Sequence, residues 1–571
     1  MQLKYYFHYF LTIWLVLGIT GCDYLDTRIE TGIKQEDLDS DYTSLSSLGY
    51  APYTYLRNGF YAIDNNIMAA VTDEAKQTAP TSNAQYYNNG SWDAFRNPLD
   101  VYSYNYSGIR TANFFLEYSA DYKSKLAVNR DTISNGSRAY WQDVENIEWM
   151  RAESHILIAW FYFDLIKRYG GVPLVTKVLT INDNTDLPRT DFDEVVAYIV
   201  SKIDEHQGKM QANWKARDVA RDGRLTMGMA LALKSRVLLY AASPLHNGNN
   251  NLKKWEEAAK AANDVIQLKA RTYNANTDLT TITDLPAYTL ANDYRQLFLE
   301  SNSTQNNEII WSHRTGATND MERRNYPIGT PGGNSGVTPS HNLVSAYEYT
   351  GDPDADNPYT NRDPRLAYSI AVNNSSWNGR TIEIWQGGRD SHDNLNASRT
   401  GYYLKKFLIE NLYLQQDETR IHNWVVFRFA EILLNYAEAM NEAYGPDSDP
   451  LGYGMTARDA VNMVRSRTGV AMSAVVANQQ SEMRTKIKHE RRIELAFEDH
   501  RYWDLIRWKD GEELNKPLMG IKAERINASI FSYTEFTVEN RFFSVPKMYY
   551  FPILDSEIKK SKGILEQNPD W

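Results

Sequence analysis

The sequence predicts a mostly α-helical fold. Tetratricopeptide-like helical pairs form a scaffold that carries a large irregular, loop-rich subdomain with short strands. Three observations lead to this prediction. Apolar residues recur at helical spacing in several long segments, two pairs of such segments are adjacent in the chain, and two long polar stretches have no helical period.

The predicted helices follow one another along the scaffold. Residues 145–169 place apolar side chains on one face and end before Gly170, and a second helix follows Thr190 as its N-cap. Residues 225–242 and 255–268 form an Ala-rich helical hairpin, and residues 427–443 and 457–467 form a later one. Small side chains such as Ala230 and Ala258 let helices approach closely, which is typical of a tetratricopeptide unit.

Two polar stretches, residues 72–100 and 269–422, separate these helical regions. The longer stretch is rich in Asn, Thr, Gly and Asp and contains a strand-like run at residues 308–311. Long irregular segments tend to carry function, so we expect a binding site here. The predicted body is therefore a single unit, residues 22–571, with the helical scaffold at about 40–70, 100–268 and 423–571.

The N-terminus has the pattern of a secreted lipoprotein. Lys4 precedes a short uncharged run, and the segment that ends at Gly21 and Cys22 resembles the lipobox of a bacterial lipoprotein signal. We expect residues 1–21 to be removed as a signal peptide, and Cys22, the only cysteine, to carry the lipid that anchors the chain to a membrane. A buried, unmodified cysteine is the alternative.

Composition excludes several classes of protein. The formal net charge of −11 argues against nucleic-acid binding, which needs clustered Lys and Arg. Lipidation of the only cysteine would leave no thiol for a disulfide or a zinc–cysteine site. The chain is rich in aromatic residues, with 39 Tyr, 19 Phe and 14 Trp, and surfaces rich in Tyr and Trp can hold sugars.

Motifs of enzymes are incomplete, and we predict no catalytic residues. His489-Glu490 begins like a zinc-protease helix, but Ile493 stands where the second zinc ligand belongs. Carboxylates are plentiful, so a glycosidase acid/base pair stays open from the sequence alone. Residues 486–509 read as one densely charged helix stabilised by ion pairs, with an acid/base or anion site as the alternative.

Candidate binding residues lie in the two polar stretches. A sugar ring stacks its C–H face on an indole, while its hydroxyl groups need polar partners. These ingredients occur at Asp73, Glu74, Tyr86, Trp92, Trp311, Trp377, Trp385 and Arg389. The alternative is that these aromatic side chains pin long loops to the scaffold.

Several blocks of the chain resemble the SusD/RagB outer-membrane lipoproteins of Bacteroidetes. The strongest are residues 151–175, 223–247 and 490–509, together with Cys22-Asp23-Tyr24-Leu25-Asp26 and the C-terminal residues 552–571. The resemblance covers nearly the whole mature chain and departs from the usual ending only at Asp570. It implies a helical scaffold with a glycan-binding subdomain, attachment to the outer leaflet of the outer membrane, and a TonB-dependent SusC-like transporter as partner.

The leading hypothesis is a non-catalytic, surface-exposed lipoprotein that captures oligosaccharides and delivers them to this transporter, with Trp92 as the best positional candidate for stacking. A peptide-binding lid of the same transporter class and a surface glycosidase are the alternatives. No cofactor is predicted. The acidic loop at residues 352–356 has oxygen ligands for a structural calcium ion, with solvated surface carboxylates as the alternative.

Overall fold

The computed structural model describes residues 41–212, 214, 221–274, 279–299 and 306–571. Cys22 and the predicted signal peptide lie outside the described residues. The chain divides into two units, of which the first comprises Met1–Leu48 and Ser119–Ile147 and the second comprises Gly49–Tyr118 and Glu148–Trp571.

Helices account for most of the regular structure. In chain order, the α-helices of the described residues are α1 (Tyr42–Tyr50), α2 (Ala84–Asn88), α3 (Tyr102–Tyr118), α4 (Tyr122–Ala127), α5 (Arg138–Tyr169), α6 (Phe192–His206), α7 (Met227–Ala242), α8 (Leu252–Ile266), α9 (Tyr294–Leu297), α10 (Asp320–Asn325), α11 (His341–Val344), α12 (Pro364–Ser369), α13 (Phe429–Tyr444), α14 (Ala457–Arg465), α15 (Gln480–Glu494), α16 (Arg501–Trp508) and α17 (Asp555–Lys560).

Strands are short and pair only in twos within the described residues. They are β1 (Ala75–Gln77), β2 (Lys269–Asn274), β3 (Leu279–Pro286), β4 (Ile309–Thr318), β5 (Val337–Pro339), β6 (Ile370–Ala371), β7 (Ser376–Trp377), β8 (Arg380–Thr381), β9 (Tyr403–Leu404), β10 (Arg420–Arg428), β11 (Leu518–Arg525) and β12 (Phe531–Glu539). The antiparallel pairs are β1 with β5, β2 with β3, β4 with β10, β6 with β9, β7 with β8, and β11 with β12.

The first unit contains α4 and the N-terminal turns of α5. Within it, the Tyr140 hydroxyl donates to the Lys123 carbonyl at 3.1 Å, and Arg130 pairs with Asp143 at 2.8 Å. Both contacts tie the start of α5 to the segment that precedes it.

Helical pairs build the scaffold of the second unit, as predicted. Helix α7 packs against α8, and α13 packs against α8, α14 and α15. The Thr226 hydroxyl caps α7 by accepting the Met229 N–H at 3.2 Å, which satisfies one of the unpaired donors of a helix start. The buried faces are rich in alanine, including Ala230, Ala258 and Ala437, so the helix axes can approach closely. The predicted mostly helical, tetratricopeptide-like scaffold is confirmed.

The prediction of one charged helix over residues 486–509 is wrong. Helix α15 ends at Glu494 and α16 begins only at Arg501. Between them Phe497 and Asp499 have φ angles of 68° and 62°, a left-handed conformation that no α-helix continues through. The charged side chains also form ion pairs across the fold, whereas the sequence suggested pairing along the helix.

A buried ionic network joins this segment to distant elements. Glu494, with no exposed surface, accepts hydrogen bonds from Arg365 at 2.8 Å and Arg428 at 2.6 Å. Burial opposes ionisation of Glu494, but Arg467, Arg428 and Arg365 outweigh it and hold its pKa well below the usual range. Breaking such a pair leaves an uncompensated buried charge, so the network fixes how these elements meet.

The β11–β12 hairpin lies in a region predicted to be helical scaffold. It contacts the loop of residues 386–400, which belongs to the polar stretch 269–422. The Gln386 N–H donates to the Ala523 carbonyl, and the Ile521 N–H donates to the Thr400 carbonyl, both at 2.9 Å. The hairpin is thus attached to the loop-rich region.

Candidate functional site

Trp92 is packed inside the second unit, with only 2% of its surface exposed. Its ring stacks on Tyr87 at 4.9 Å between centroids and contacts Phe551 at 4.9 Å and Trp571 at 4.7 Å. An indole covered in this way has no open face for a sugar ring. The position fits the alternative in which such side chains pin a loop to the scaffold.

Trp311 and Trp377 are buried as well. Trp311 lies on β4, and its Nε1–H donates to the Gly223 carbonyl at 2.9 Å. Trp377 lies on β7 and packs edge-to-face against Tyr326 at 5.6 Å. With exposures of 5% and 2%, neither indole offers a stacking surface in this conformation.

Asp73 and Glu74 are buried neighbours whose pKa values are shifted in opposite directions. Arg501 donates two hydrogen bonds to Asp73, at 2.8 and 2.9 Å, and Arg492 donates a third at 2.6 Å. Burial alone would raise the pKa of Asp73, but the two guanidinium groups hold it well below its usual range. Asp73 and Glu74 are both buried in this conformation, and their predicted hydrogen bonds to a sugar stay a prediction.

Glu74 has no guanidinium partner within hydrogen-bond distance among the described residues. Its carboxylate accepts only the long hydrogen bonds of the Phe497 N–H, at 3.3 and 3.4 Å. Burial, and next the negative charge of Asp73, raise the pKa of Glu74 to about 8. Glu74 is thus protonated near neutral pH.

Tyr86, Trp385 and Arg389 reach the surface. The Arg96 guanidinium lies over the Tyr86 ring at 3.9 Å. Trp385 is half-buried against Phe531, with ring centroids 5.3 Å apart, and Arg389 is exposed at the turn that follows it. Of the predicted site residues, these three are accessible to a ligand, and sugar contacts at any of the eight positions remain a prediction.

A surface cavity of about 470 Å³ lies between the β11–β12 hairpin and β1. We call it the hairpin groove. It is lined by Lys76, Thr78, Pro80, Gln85, His392, Arg399, Lys522, Phe536 and Val538. The volume falls within the usual range of small-ligand pockets. The groove joins both predicted polar stretches, because residues 76–85 come from the first and residues 392–399 from the second.

The hairpin supplies one wall of the groove. In the antiparallel register Gly520 faces Phe536 and Lys522 faces Thr534, so these four residues share one side of the ribbon. Gly520 is required at this point, because a Cβ there would lie 2.9 Å from both the Phe536 ring and the Thr400 carbonyl. The half-buried Phe536 ring therefore lies close to the strand and presents an apolar surface to the groove.

The opposite wall is β1, which Arg541 holds in place. Its Nη2 donates to the Ala75 carbonyl at 2.9 Å, and its Nη1 donates to the Thr72 carbonyl. Lys76 and Glu539 then form an ion pair between β1 and β12. The walls of the groove are thus joined by charged hydrogen bonds at its base.

Polar atoms that line the groove are mostly hydrogen-bond donors. The Lys522 ammonium lies 5.3 Å from the centre of the Phe536 ring. Arg399 is exposed and has no partner among the described residues, and the buried Gln85 Nε2 has none there either. An apolar ring beside several donors can hold a sugar, whose C–H face stacks while its oxygens accept.

Phe536, Lys522 and Arg399 are not among the site residues predicted from the sequence. One signal was present: residues 531–539 are rich in aromatic and β-branched side chains, which indicates a strand. The contact of this strand with the groove-lining loop of residues 386–400 depends on tertiary structure.

No group of three or more His, Cys, Asp or Glu side chains in the described residues is arranged to hold a metal ion. In the acidic loop, the Asp354 carboxylate accepts the Asp356 N–H at 2.9 Å. Within the same part of the chain, every helix is too short or too polar to cross a membrane.

Comparison with known families decides the classification. A model described as the SusD family matches residues 307–571, and one described as starch-binding associating with outer membrane matches residues 23–239. The chain belongs to the SusD/RagB family. A curated relative, SusD-like protein P38 of Formosa agariphila, is 26% identical over 390 residues, which are 66% of this chain and 69% of the relative.

Solved structures of SusD-like proteins share the fold. A SusD-like protein from Bacteroides fragilis superposes with a TM-score of 0.74 at 25% identity, over 94% of this chain and 99% of that one. A SusD-like carbohydrate-binding protein from the same species gives a TM-score of 0.71 at 22% identity, over 92% and 99%. The SusD architecture therefore extends over both the helical scaffold and the loop-rich region.

Proposed function

We propose that this SusD/RagB protein is a non-catalytic glycan-binding lipoprotein of the cell surface, which captures oligosaccharides in the hairpin groove. It would deliver them to a SusC-like TonB-dependent transporter of the outer membrane. The observation that carries the proposal is the groove itself, a cavity in the loop-rich region where an accessible aromatic ring lies among hydrogen-bond donors.

The chemistry of the groove suits a sugar. The Phe536 ring provides a flat apolar surface for the C–H face of a pyranose. Lys522, Arg399 and Gln85 provide donors for ring and hydroxyl oxygens. Because the groove is open on one side, a ligand keeps part of its hydration, and we expect micromolar to millimolar dissociation constants.

The relatives support the glycan and the location. One family description names starch binding and association with the outer membrane, and one structural relative is described as carbohydrate-binding. The lipid predicted on Cys22 would tether the body by its N-terminus, which suits a lid that moves over a transporter. Trp385 and Arg389, at the start of the loop that lines the groove, are candidates for contacts with a longer chain.

Calorimetry with a panel of oligosaccharides tests the proposal, using the soluble protein from residue 23 onward. Phe536→Ala should weaken binding about fivefold or more, because a stacked ring contributes roughly 1–3 kcal/mol when truncated. Tyr413→Ala is the matched control, since Tyr413 is an exposed aromatic residue that does not line the groove. Its affinity should equal that of the wild type.

The outcomes separate the alternatives. Equal affinity of the Phe536 variant and the wild type would remove the groove as the site. Binding of peptides without any glycan would favour the peptide-binding lid, and release of reducing sugar by the purified protein would establish a glycosidase. Co-purification with a transporter barrel from outer membranes tests the partner.

A further inference from the structure

The side chains that line the hairpin groove define a ligand class. We propose that the groove takes an anionic glycan, whose sulfate or carboxylate groups are bound by Lys522 and Arg399. This inference rests on the glycan-binding function proposed above and adds the charge of the ligand. It follows from the identity, pairing and position of the basic groups.

Basic groups line the groove without acidic ones. Its lining includes Lys76, His392, Arg399 and Lys522, and no Asp or Glu of the described chain. The protein as a whole has the opposite balance, with 72 acidic and 61 basic residues. A neutral sugar uses acceptors as well as donors, because each hydroxyl group both donates and accepts. A lining dominated by donors therefore fits a ligand rich in acceptors, such as the oxyanions of sulfate or carboxylate groups.

Most basic side chains elsewhere in the fold have a carboxylate partner, even at the surface. Lys516 pairs with Glu513 at 2.7 Å, and Lys260 pairs with Asp264 at 2.7 Å. In the groove, Lys522 has only the Phe536 ring, and Arg399 has no partner in the described part of the chain. These two cations are therefore available to a ligand.

The remaining basic groups of the groove have local partners. Lys76 pairs with Glu539, which Arg541 also contacts at 2.9 Å, and the His392 Nε2 lies 3.3 Å from Asp393. They shape the wall and leave anion binding to Lys522 and Arg399. The buried Gln85 Nε2 adds a neutral donor that is unpaired in the described structure.

The relative positions of Phe536, Lys522 and Arg399 favour a charged glycan over a neutral one. The Phe536 ring would fix the plane of a stacked sugar. The Lys522 ammonium lies over that ring, 5.3 Å from its centre, and would move aside to pair with an acidic substituent on the sugar. An acidic substituent on the stacked sugar would therefore meet a cation with little desolvation of either group. Arg399, a planar fork of donors on the facing loop, can hold a second oxyanion in a bidentate manner.

The experiment compares three oligosaccharides of similar length by calorimetry: a sulfated galactan, an oligouronate and a neutral glucan. We expect the wild type to bind at least one anionic ligand more tightly than the glucan. Raising the salt concentration from about 0.05 to about 0.5 M should weaken that binding, because the interaction is between exposed charges. Tighter binding of the sulfated galactan or of the oligouronate identifies the anion as sulfate or carboxylate, respectively.

Variants assign the effect to the groove. Lys522→Gln and Arg399→Gln should each weaken the anionic ligand about fivefold, which corresponds to about 1 kcal/mol. Lys522→Arg should retain binding, and Lys253→Gln, an exposed lysine of α8, is the matched control. Melting temperatures equal to the wild type would show that these exposed substitutions leave the fold intact.

Three results decide the matter. Anionic binding that is sensitive to salt and to both glutamine variants supports the inference. Binding of the neutral glucan that Phe536→Ala weakens, while the glutamine variants do not, overturns the inference and leaves the proposed function standing. Binding of no glycan overturns both.

Discussion

Replacing Glu74 by glutamine should make the protein more stable at alkaline pH, a result opposite to the usual effect of altering a buried residue. Glu74 is 2% exposed, and among the described residues only the Phe497 N–H donates to its carboxylate, at 3.3 and 3.4 Å. Burial and the neighbouring charge of Asp73 raise its pKa from 4.5 to about 8. Glutamine has the same shape as the protonated acid and never ionises.

The sign and size of the effect follow from the two protonation states. The unfolded chain loses this proton near pH 4.5 and the folded protein near pH 8, so the wild type loses stability as the pH rises between these values. This difference in pKa between the folded and unfolded states lowers the free energy of unfolding by at most about 5 kcal/mol. With an entropy of unfolding of roughly 2.1 cal/mol/K per residue over about 550 residues, this loss of free energy corresponds to a shift of about 4 °C in melting temperature.

The assay is a series of thermal melts of the wild type and the Glu74→Gln variant from pH 5 to pH 8.5. The difference in melting temperature should be near zero at pH 5 and favour the variant increasingly toward pH 8.5. Asp73→Asn is the matched comparison, because it leaves Arg492 and Arg501 without their carboxylate. It should destabilise the protein by about 3–5 kcal/mol at pH 5. The effect should be smaller toward pH 8.5, because the variant also removes the Asp73 charge that raises the pKa of Glu74. A difference for Glu74→Gln that is constant with pH would refute the reasoning.

Two further predictions concern Trp92 and Cys22. Trp92→Ala should lower the free energy of unfolding by about 3–5 kcal/mol in urea titrations, because the indole fills a buried aromatic cluster. It should leave glycan affinity unchanged, and a selective loss of affinity with normal stability would place Trp92 in the site. Cys22→Ala should release the protein from the membrane fraction of cells while the soluble form binds glycan as before, and an unchanged membrane fraction would contradict lipidation.

The helical scaffold could be predicted because its signals are local. In residues 225–242 and 255–268 the apolar and small side chains recur at helical spacing. The observed α7 and α8 differ from these ranges by only a few residues. The break between α15 and α16 could not be read in this way. Phe497 has no local signal for its left-handed conformation, and its N–H contacts Glu74, which is far away in the sequence.

Exposure of the candidate site residues was harder to predict than the helices, because it depends on contacts between segments that are distant in sequence. Trp92 lies in a polar stretch and reads as exposed, but its burial depends on Trp571, at the far end of the chain. Phe536 lies on a strand whose hairpin partner, β11, is close in sequence, but the loop of residues 386–400 that also lines the groove is remote in sequence. Burial of an aromatic residue in a loop-rich region is decided by which segments cover it, and local composition does not contain that information.

The charged segment after α14 provides the link between scaffold and site. Arg492 of α15 and Arg501 of α16 hold Asp73, and the Phe497 N–H between the two helices reaches Glu74. The next residue in the chain begins β1, so the helix break sets the position of the strand that forms one wall of the hairpin groove. If these contacts contributed only to stability, Asp73→Asn would lower the free energy of unfolding and leave glycan affinity unchanged. Because they orient the wall that carries Lys76, we expect the variant to weaken glycan binding even at temperatures well below its melting transition.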